Sequence, residues 1–340
     1  MLIGTLAGTV DMVVAGVEYA VIAAADLADA LRLPGAGLLA ARLLRDKISL
    51  RQAQVGSGLR EVAFREVTSA EQVSSFLTQY GSIVLKPANR QASLGVHLVH
   101  AGDDISLIWE ECVGADEGYQ VADRPMRWRY LVEERLVGPE VSVESLVAEG
   151  QVVWTNLTQK ETLGGVCPIE VGHTVGHSPG DWPQRMQQLV TTIGYQTGIL
   201  HAEWILDPAG VSLVECAGRP PGDHIPELID LAFGGKILIR WLELMRGVWN
   251  RDNVEAQRGA AVRFLLSDGP GAITSVSGIE DAKQSVGITK VEVSAEVGRH
   301  AQPLRSSWDR LGYVIAVGEN AEEARRHALA ASRLVKIRVS

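Results

Sequence analysis

The tetrapeptide Asp207-Pro208-Ala209-Gly210 limits what this chain can fold into more than any other feature. Proline presets the φ of position i+1 of a type I turn, and glycine takes the left-handed residue after it at no steric cost. That combination predicts a hairpin with the three-residue loop Pro208, Ala209 and Gly210, so that Asp207 faces Val211. Counting back along both strands, Glu203 of His201-Ala202-Glu203 then faces Glu215 of Val214-Glu215-Cys216. Residues directly opposite share a face, with Cβ atoms roughly 5 Å apart. Two carboxylates so placed repel unless a cation sits between them. Their neighbours Ile205, Leu206, Leu213 and Val214 are apolar, so water screens them poorly. A hard divalent ion on carboxylate oxygens, most simply Mg²⁺ carrying phosphates, resolves the conflict. Alone, the same pair also describes an exposed hairpin face with two solvated glutamates, so the reading needs support from elsewhere.

Four further segments supply it. The loop Gly218-Arg219-Pro220-Pro221-Gly222-Asp223 places an arginine four residues beyond Glu215, and its planar fork suits a phosphate or an acyl phosphate. Upstream, the apolar strand Val84-Leu85 ends in Lys86, whose ammonium is awkward to bury without an anion. The turn from Pro87 to Leu94 is rich in small residues, whose backbone N–H groups can cover phosphates. It is not the P-loop pattern, which opens a helix with G-x-x-x-x-G-K-[ST], and alone it reads as an ordinary strand-turn-strand. The strand ending at Glu133-Glu134 is followed by one beginning at Glu140, an edge that can offer backbone groups to an adenine and a carboxylate to ribose hydroxyls. Finally, Cys167-Pro168-Ile169-Glu170-Val171-Gly172-His173 reads as a loop with a carboxylate and an imidazole three residues apart, suited to an ammonium or carboxylate group. No G-x-S-x-G, H-E-x-x-H or G-x-G-x-x-G pattern is present.

The 340 residues suffice for two or three structural units, and 46% apolar with 21% charged residues is ordinary for a soluble globular protein. A formal net charge of -9 without a local basic patch argues against nucleic acid as a partner. The 3 cysteines, Cys112, Cys167 and Cys216, form no C-x-x-C, which fits a reducing cytoplasm better than a disulfide framework or a zinc site. The apolar start has no basic residues ahead of it and is interrupted by Asp11 and Glu18. It reads as a buried strand over 12–15 and then a helix, not as a signal peptide. No stretch is long and apolar enough to span a membrane. Hydrophobic spacing and turn residues predict helices opening at Asp46-Lys47, near 69–80, at 183–197 and through 222–247, and a closing helix capped by Asn320. Strands are expected at 82–86, 95–99, 129–134, 140–148, 152–158, 200–206, 211–217, 261–266, 290–293 and 313–317.

Taken in order, these segments resemble the ATP-grasp superfamily and, within it, the L-amino-acid ligases (dipeptide synthetases). The likeness begins between Asp11 and Glu18, passes through Leu33-Pro34-Gly35 and Arg45-Asp46-Lys47, and ends between Asp309 and Gly318. It implies an α/β chain of α+β subdomains. These are a shortened N-terminal segment over 1–45, a small subdomain over 46–128, a large subdomain with the metal and substrate site over 129–258, and a C-terminal lid over 259–340. It implies ATP with Mg²⁺ or Mn²⁺. Lys47 and Lys86 would contact the phosphates, and Ser93 and Gly95 would lie in the loop over them. Glu133 and Leu136 would border the adenine, Glu140 the ribose, and Glu203 and Glu215 would bind magnesium. Arg219, with Lys86, would stabilise the charge of an acyl phosphate and of the tetrahedral intermediate, while Glu170 and His173 would hold the amino-acid substrate. The implied reaction joins a small carboxylate to a small amine, both expected to be amino acids, and gives ADP and phosphate; neither nucleic acid nor membrane is expected as a partner, and a homodimer is left open. Ala217 departs from the asparagine many superfamily members carry there, which favours the dipeptide-ligase branch. Rival readings are a carboxylase or other ATP-grasp ligase differing around Glu170 and His173, and a non-catalytic ATP-binding descendant. Against the latter stand Lys86, Glu203, Glu215 and Arg219 together.

Overall fold

The computed structural model describes residues 6, 8–116, 128–163, 169–178, 180–248 and 254–340. The chain divides into two compact units. The first comprises Met1–Thr155, Gly180–Pro221 and Leu238–Asp252, the second Asn156–Pro179, Gly222–Ile237 and Asn253–Ser340. Strands are numbered along the chain.

In the first unit, β1 (Phe64–Val67), β2 (Ser82–Pro87), β3 (His97–His100) and β4 (Tyr130–Glu134) form an antiparallel sheet of order β1-β4-β2-β3. Ile83, Leu85 and Val132 face a core completed by Val73, Phe76, Leu77 and Cys112 from the helices Ala70–Tyr80 and Ile105–Gly114. Alternation sends Lys86, Leu131 and Glu133 to the other face. There the helix Lys47–Gln54 packs Ile48 on Leu131 and Ala88. Its N-cap is Asp46, which accepts from Ser49 N at 2.9 Å, as the sequence indicated. The strand expected over Met12 to Ala15 does not form: no described strand pairs with these residues, and a backbone without a partner has no ladder to join. A 3₁₀ turn, Glu18–Ala20, leads instead into the helix Val21–Leu31.

Also in the first unit, β5 (Glu140–Ala148) pairs with β8 (Gly198–Asp207), which pairs with β9 (Gly210–Ala217), all antiparallel. Glu203 does face Glu215, but not by the route expected. Asp207 pairs with Gly210, so the loop is the two residues Pro208 and Ala209, not three. Asp207 Oδ1 accepts from Ala209 N at 2.9 Å, which tightens the turn. The resulting register sets Trp204 against Leu213 and would set Glu203 against Val214. A β-bulge between these pairs inserts Val214 and restores Glu203 opposite Glu215.

The bulge is held from outside the hairpin. Arg51 Nη1 donates to Leu213 O at 2.5 Å and Nη2 to Val214 O at 3.3 Å. Its Nε donates to Glu133 Oε1 at 2.7 Å, and Lys86 Nζ lies 2.6 Å from Glu133 Oε2. All three side chains are buried.

In the second unit, the later residues of β6 (Gln151–Thr162) pair with β7 (Glu170–Val175), and the order continues β10 (Gly259–Phe264), β14 (Gly312–Gly318), β12 (Ile288–Val293). The segment read as a loop around Glu170 and His173 is thus the strand β7, paired on both sides. Asn320 caps the helix Ala321–Ser332 by accepting from Glu323 N at 3.0 Å, and that helix packs Ala324 and Ala328 on Ala261 and Ala316. Strands β11 (Gly271–Ser277), β13 (His300–Ala301) and β15 (Lys336–Val339) form a small sheet that the sequence did not indicate.

Two outcomes follow for the Arg51 network. Burial alone would raise the Glu133 carboxyl, but Arg51 and Lys86 bring it down to about 2. The two ends of the pair respond unequally: burial outweighs Glu133 at Lys86, whose ammonium is held below its ordinary range. Because the folded value of Glu133 is depressed, its contribution is complete above the ordinary carboxylate range and is lost as pH falls toward about 2. Denaturant unfolding across that window should lose on the order of 3 kcal/mol from this group. Arg51→Met removes one partner of a buried charge cluster and should cost about 3–5 kcal/mol at neutral pH, read as a fall in the unfolding midpoint.

Candidate functional site

One face of β5, β8 and β9 is acidic. Ser142 pairs with Glu203, Glu144 with His201, and Glu203 with Glu215, so these side chains emerge on the same side. Glu140 lies further along that face, and its carboxylate oxygen is within 4.8 Å of one from Glu203. His201 bridges the row: Nδ1 is 2.9 Å from Glu144 Oε1, and Nε2 is 3.2 Å from Glu203 Oε1. Burial alone would lower its pKa, yet the bonds to Glu144 and Glu203 push it up to about 9, so the ring is an imidazolium at neutral pH. Ser142 Oγ donates to Glu144 Oε1 at 2.7 Å. At the other end, Lys47 Nζ lies 2.8 Å from Glu215 Oε2 and donates to Arg90 O at 2.9 Å. Each carboxylate of the pair therefore has a cation of the protein beside it. Opposed carboxylates offer the hard oxygen donors that a divalent ion such as Mg²⁺ takes, and an ion bound there would displace Lys47 and His201 as their partners.

Sequence reasoning assigned His201 no role. The available signal was its place two residues before Glu203, on the same face of one strand. Ala217 faces His201 directly.

Lys86 finds its anion within the protein, at Glu133. Glu133, expected beside an adenine, is buried in the Arg51–Lys86 network, while Leu136 is half-buried in the connection between β4 and β5. In the turn after β2, Ala92, Ser93 and Gly95 have φ of 57°, 56° and 73°. Leu94 N donates to Gln91 O at 3.2 Å and Val96 N to Ser93 O at 3.1 Å. Left-handed alanine and serine are costly conformations, of the kind found at ligand clamps. Gly95 suits its place on two counts: a φ of 73° that side chains rarely adopt, and a tight approach in which a Cβ would stand 3.1 Å from both Cys112 O and Pro87 Cγ. Arg219 leaves β9 and turns its Nε to Glu18 Oε2, at 2.6 Å.

The second unit holds the other group. Lys160 Nζ is 2.5 Å from Glu170 Oε1. His173 Nε2 lies 3.5 Å from Glu170 Oε2 and 3.4 Å from Asp223 Oδ2. Arg310 grips Asp223 with both terminal nitrogens, at 2.9 and 2.6 Å, and its guanidinium lies 3.7 Å over the Phe264 ring. Burial would lower the pKa of His173, but Asp223 and Glu170 push it up to about 8. Burial would raise Asp223, but His173 and Arg310 hold it well below the usual carboxylate range. Asp223 and Arg310 were not singled out as partners of this group; the distance in sequence hides them. Cys167 and Pro168 lie outside the described residues.

Comparison with known proteins agrees with this architecture. A family model of the ATP-grasp domain matches residues 80–226, and one of the L-amino acid ligase C-terminal domain 2 matches residues 263–340. The dapdiamide A synthase of Enterobacter agglomerans is 22% identical over 329 residues, 92% of this chain and 76% of that protein. The uncharacterized protein y4rH of Sinorhizobium fredii is 22% identical over 283 residues, and the match spans 82% of this chain but only 58% of that relative's length. The L-amino acid ligase from Bacillus licheniformis superposes with a TM-score of 0.82 at 19% identity, over 100% of this chain and 84% of that one. The chain thus carries an ATP-grasp domain over residues 80–226, followed by a segment that matches the L-amino acid ligase C-terminal domain 2 over residues 263–340, and its fold is that of an L-amino acid ligase.

Proposed function

We propose that the chain is an ATP-dependent, ADP-forming ligase that joins a carboxylate to an amine, with amino acids as substrates. The observation that carries this reading is the acidic face itself: Glu203 opposite Glu215, with Arg219 beyond the end of the same strand. The C-terminal match to L-amino acid ligases and the likeness to a dapdiamide A synthase favour amino acids over other carboxylates.

In this reading Glu203 and Glu215 hold Mg²⁺, which when bound neutralises the triphosphate and polarises its γ-phosphoryl group. Lys47 and Lys86 contribute ammonium groups toward the phosphates, and the left-handed turn containing Ser93 and Gly95 offers backbone N–H groups to them. Glu140 accepts from the ribose hydroxyls, and the edge containing Glu133 and Leu136 borders the adenine. A carboxylate oxygen of the first amino acid attacks the γ-phosphorus. The bond from phosphorus to the β,γ-bridging oxygen breaks, and ADP leaves with that electron pair. Arg219 carries the charge of the acyl phosphate and of the tetrahedral intermediate. The second substrate's amine then attacks the acyl carbon, loses a proton and expels phosphate, leaving an amide. Glu170 accepts from a substrate α-ammonium, in exchange for Lys160, and the His173 imidazolium steadies Glu170. No nucleophile of the protein is required.

Incubating the common amino acids with ATP and Mg²⁺ should yield dipeptides by mass spectrometry, with ADP as the nucleotide product. AMP in its place would refute the acyl-phosphate route. Glu215→Gln should lower ADP release by about 100-fold or more, roughly 3 kcal/mol of transition-state stabilisation, and unchanged turnover would sink the metal assignment. Glu170→Gln should raise KM for the amino acid about tenfold and leave KM for ATP near its original value; the opposite split would remove Glu170 from the substrate site.

A further inference from the structure

Two cationic side chains converge on one buried carboxylate that the reaction above does not use. Glu18 opens the 3₁₀ turn Glu18–Ala20 and is only 6% exposed. Its Oε1 accepts from Arg45 Nη1, and its Oε2 accepts from Arg219 Nε at 2.6 Å. Arg45 is itself fixed from two further directions. Its Nη2 donates to Asn89 O at 3.0 Å, and its guanidinium lies 4.8 Å from the centre of the Tyr19 ring. Arg219 Nη1 donates to Pro220 O at 2.8 Å, and among the described residues Nη2 takes no partner.

A long arginine side chain loses rotamer freedom when it must hold one geometry, and that loss is charged to the transition state if it happens only there. Here Glu18 and Pro220 O already fix that geometry within the protein. The charge balance also leaves the arginine useful. One carboxylate lies between two guanidinium groups, so the trio keeps one net positive charge instead of cancelling it. Burial pushes the Glu18 carboxyl up, but Arg219 and Arg45 more than reverse this and keep it ionised.

We propose that Glu18 is a positioning residue, which, locked by Arg45, holds the Arg219 guanidinium with its Nη2 edge presented to the acyl phosphate. The N-terminal segment thereby contributes to turnover without touching substrate. This rests on the ligase reading for its kinetic consequence, though not for its geometry.

Glu18→Asp keeps the charge but withdraws the carboxylate by one methylene, about 1.5 Å. It should lower kcat about 10- to 100-fold with KM for ATP unchanged. Combined with Arg219→Lys, the losses should be less than multiplicative, since both act through one guanidinium. Wild-type kcat in the Asp variant, or losses that multiply, would overturn the proposal. Glu18→Gln leaves two cations facing a neutral amide and is the variant at risk of misfolding, so the Asp variant decides. A second measurement needs no turnover. In ¹⁵N-edited NMR of the full chain, the Arg219 Nε–H signal, assigned by its absence in Arg219→Lys, should exchange slowly with water. In Glu18→Asp that exchange should be about tenfold faster or more. Equal exchange in the two proteins would overturn the clamp. A protected signal in a chain that releases no ADP with any amino acid upholds the clamp and refutes the ligase reading instead.

Discussion

Arg51 is the contact on which the rest of the first unit depends. The hairpin between β8 and β9 closes through two residues, and in that register Glu215 would leave the face of Glu203. The extra residue Val214 turns the strand back, at the cost of a disturbed ladder. Arg51 satisfies the two carbonyls at that disturbance, Leu213 O and Val214 O, and its Nε continues to Glu133. Glu133 in turn holds Lys86. A bulge, a buried acid and a buried lysine therefore stand or fall together. Charges this deep are tolerated only when each has its partners, so the cluster specifies one register more sharply than apolar packing would.

The same economy appears at five candidate site residues. Glu215 has Lys47, Glu203 has His201, Arg219 has Glu18, Glu170 has Lys160 and Asp223 has Arg310. A carboxylate or guanidinium held this way meets a ligand by exchanging one partner for another, not by stripping a hydration shell. Its orientation is fixed by a partner within the protein, which is the condition under which fixed charges stabilise a developing one.

What the sequence could convey follows from how local each determinant is. Strand Glu140–Ala148, the helix opening at Asp46-Lys47 and the cap Asn320 are readable because alternation and capping act within a few residues. The pairing of Glu203 with Glu215 was anticipated through two opposite errors. The loop is one residue shorter than its residues suggested, and the bulge restores the missing count. The sequence of strand Glu170–Val175 reads as a loop because the strand's order comes from neighbours on both sides, at β6 and β10, not from its own alternation. Arg51 reaches Leu213 across 162 positions and Arg219 reaches Glu18 across 201, distances over which no periodicity carries information.

Ala217 and His201 show how one departure can be part of another. They are directly opposed, so a longer side chain at 217 would project to within roughly 5 Å of the imidazole's own Cβ. That imidazole is committed to Glu144 and Glu203. Where an amide at 217 would have added a neutral donor or acceptor beside the paired carboxylates, this chain places a cation between two acids instead. The row Glu144, His201, Glu203, Glu215, Lys47 then alternates acid and base except at the Glu203–Glu215 step. At that step two acids are neighbours, and each draws its compensation from the far side, Glu203 from His201 and Glu215 from Lys47.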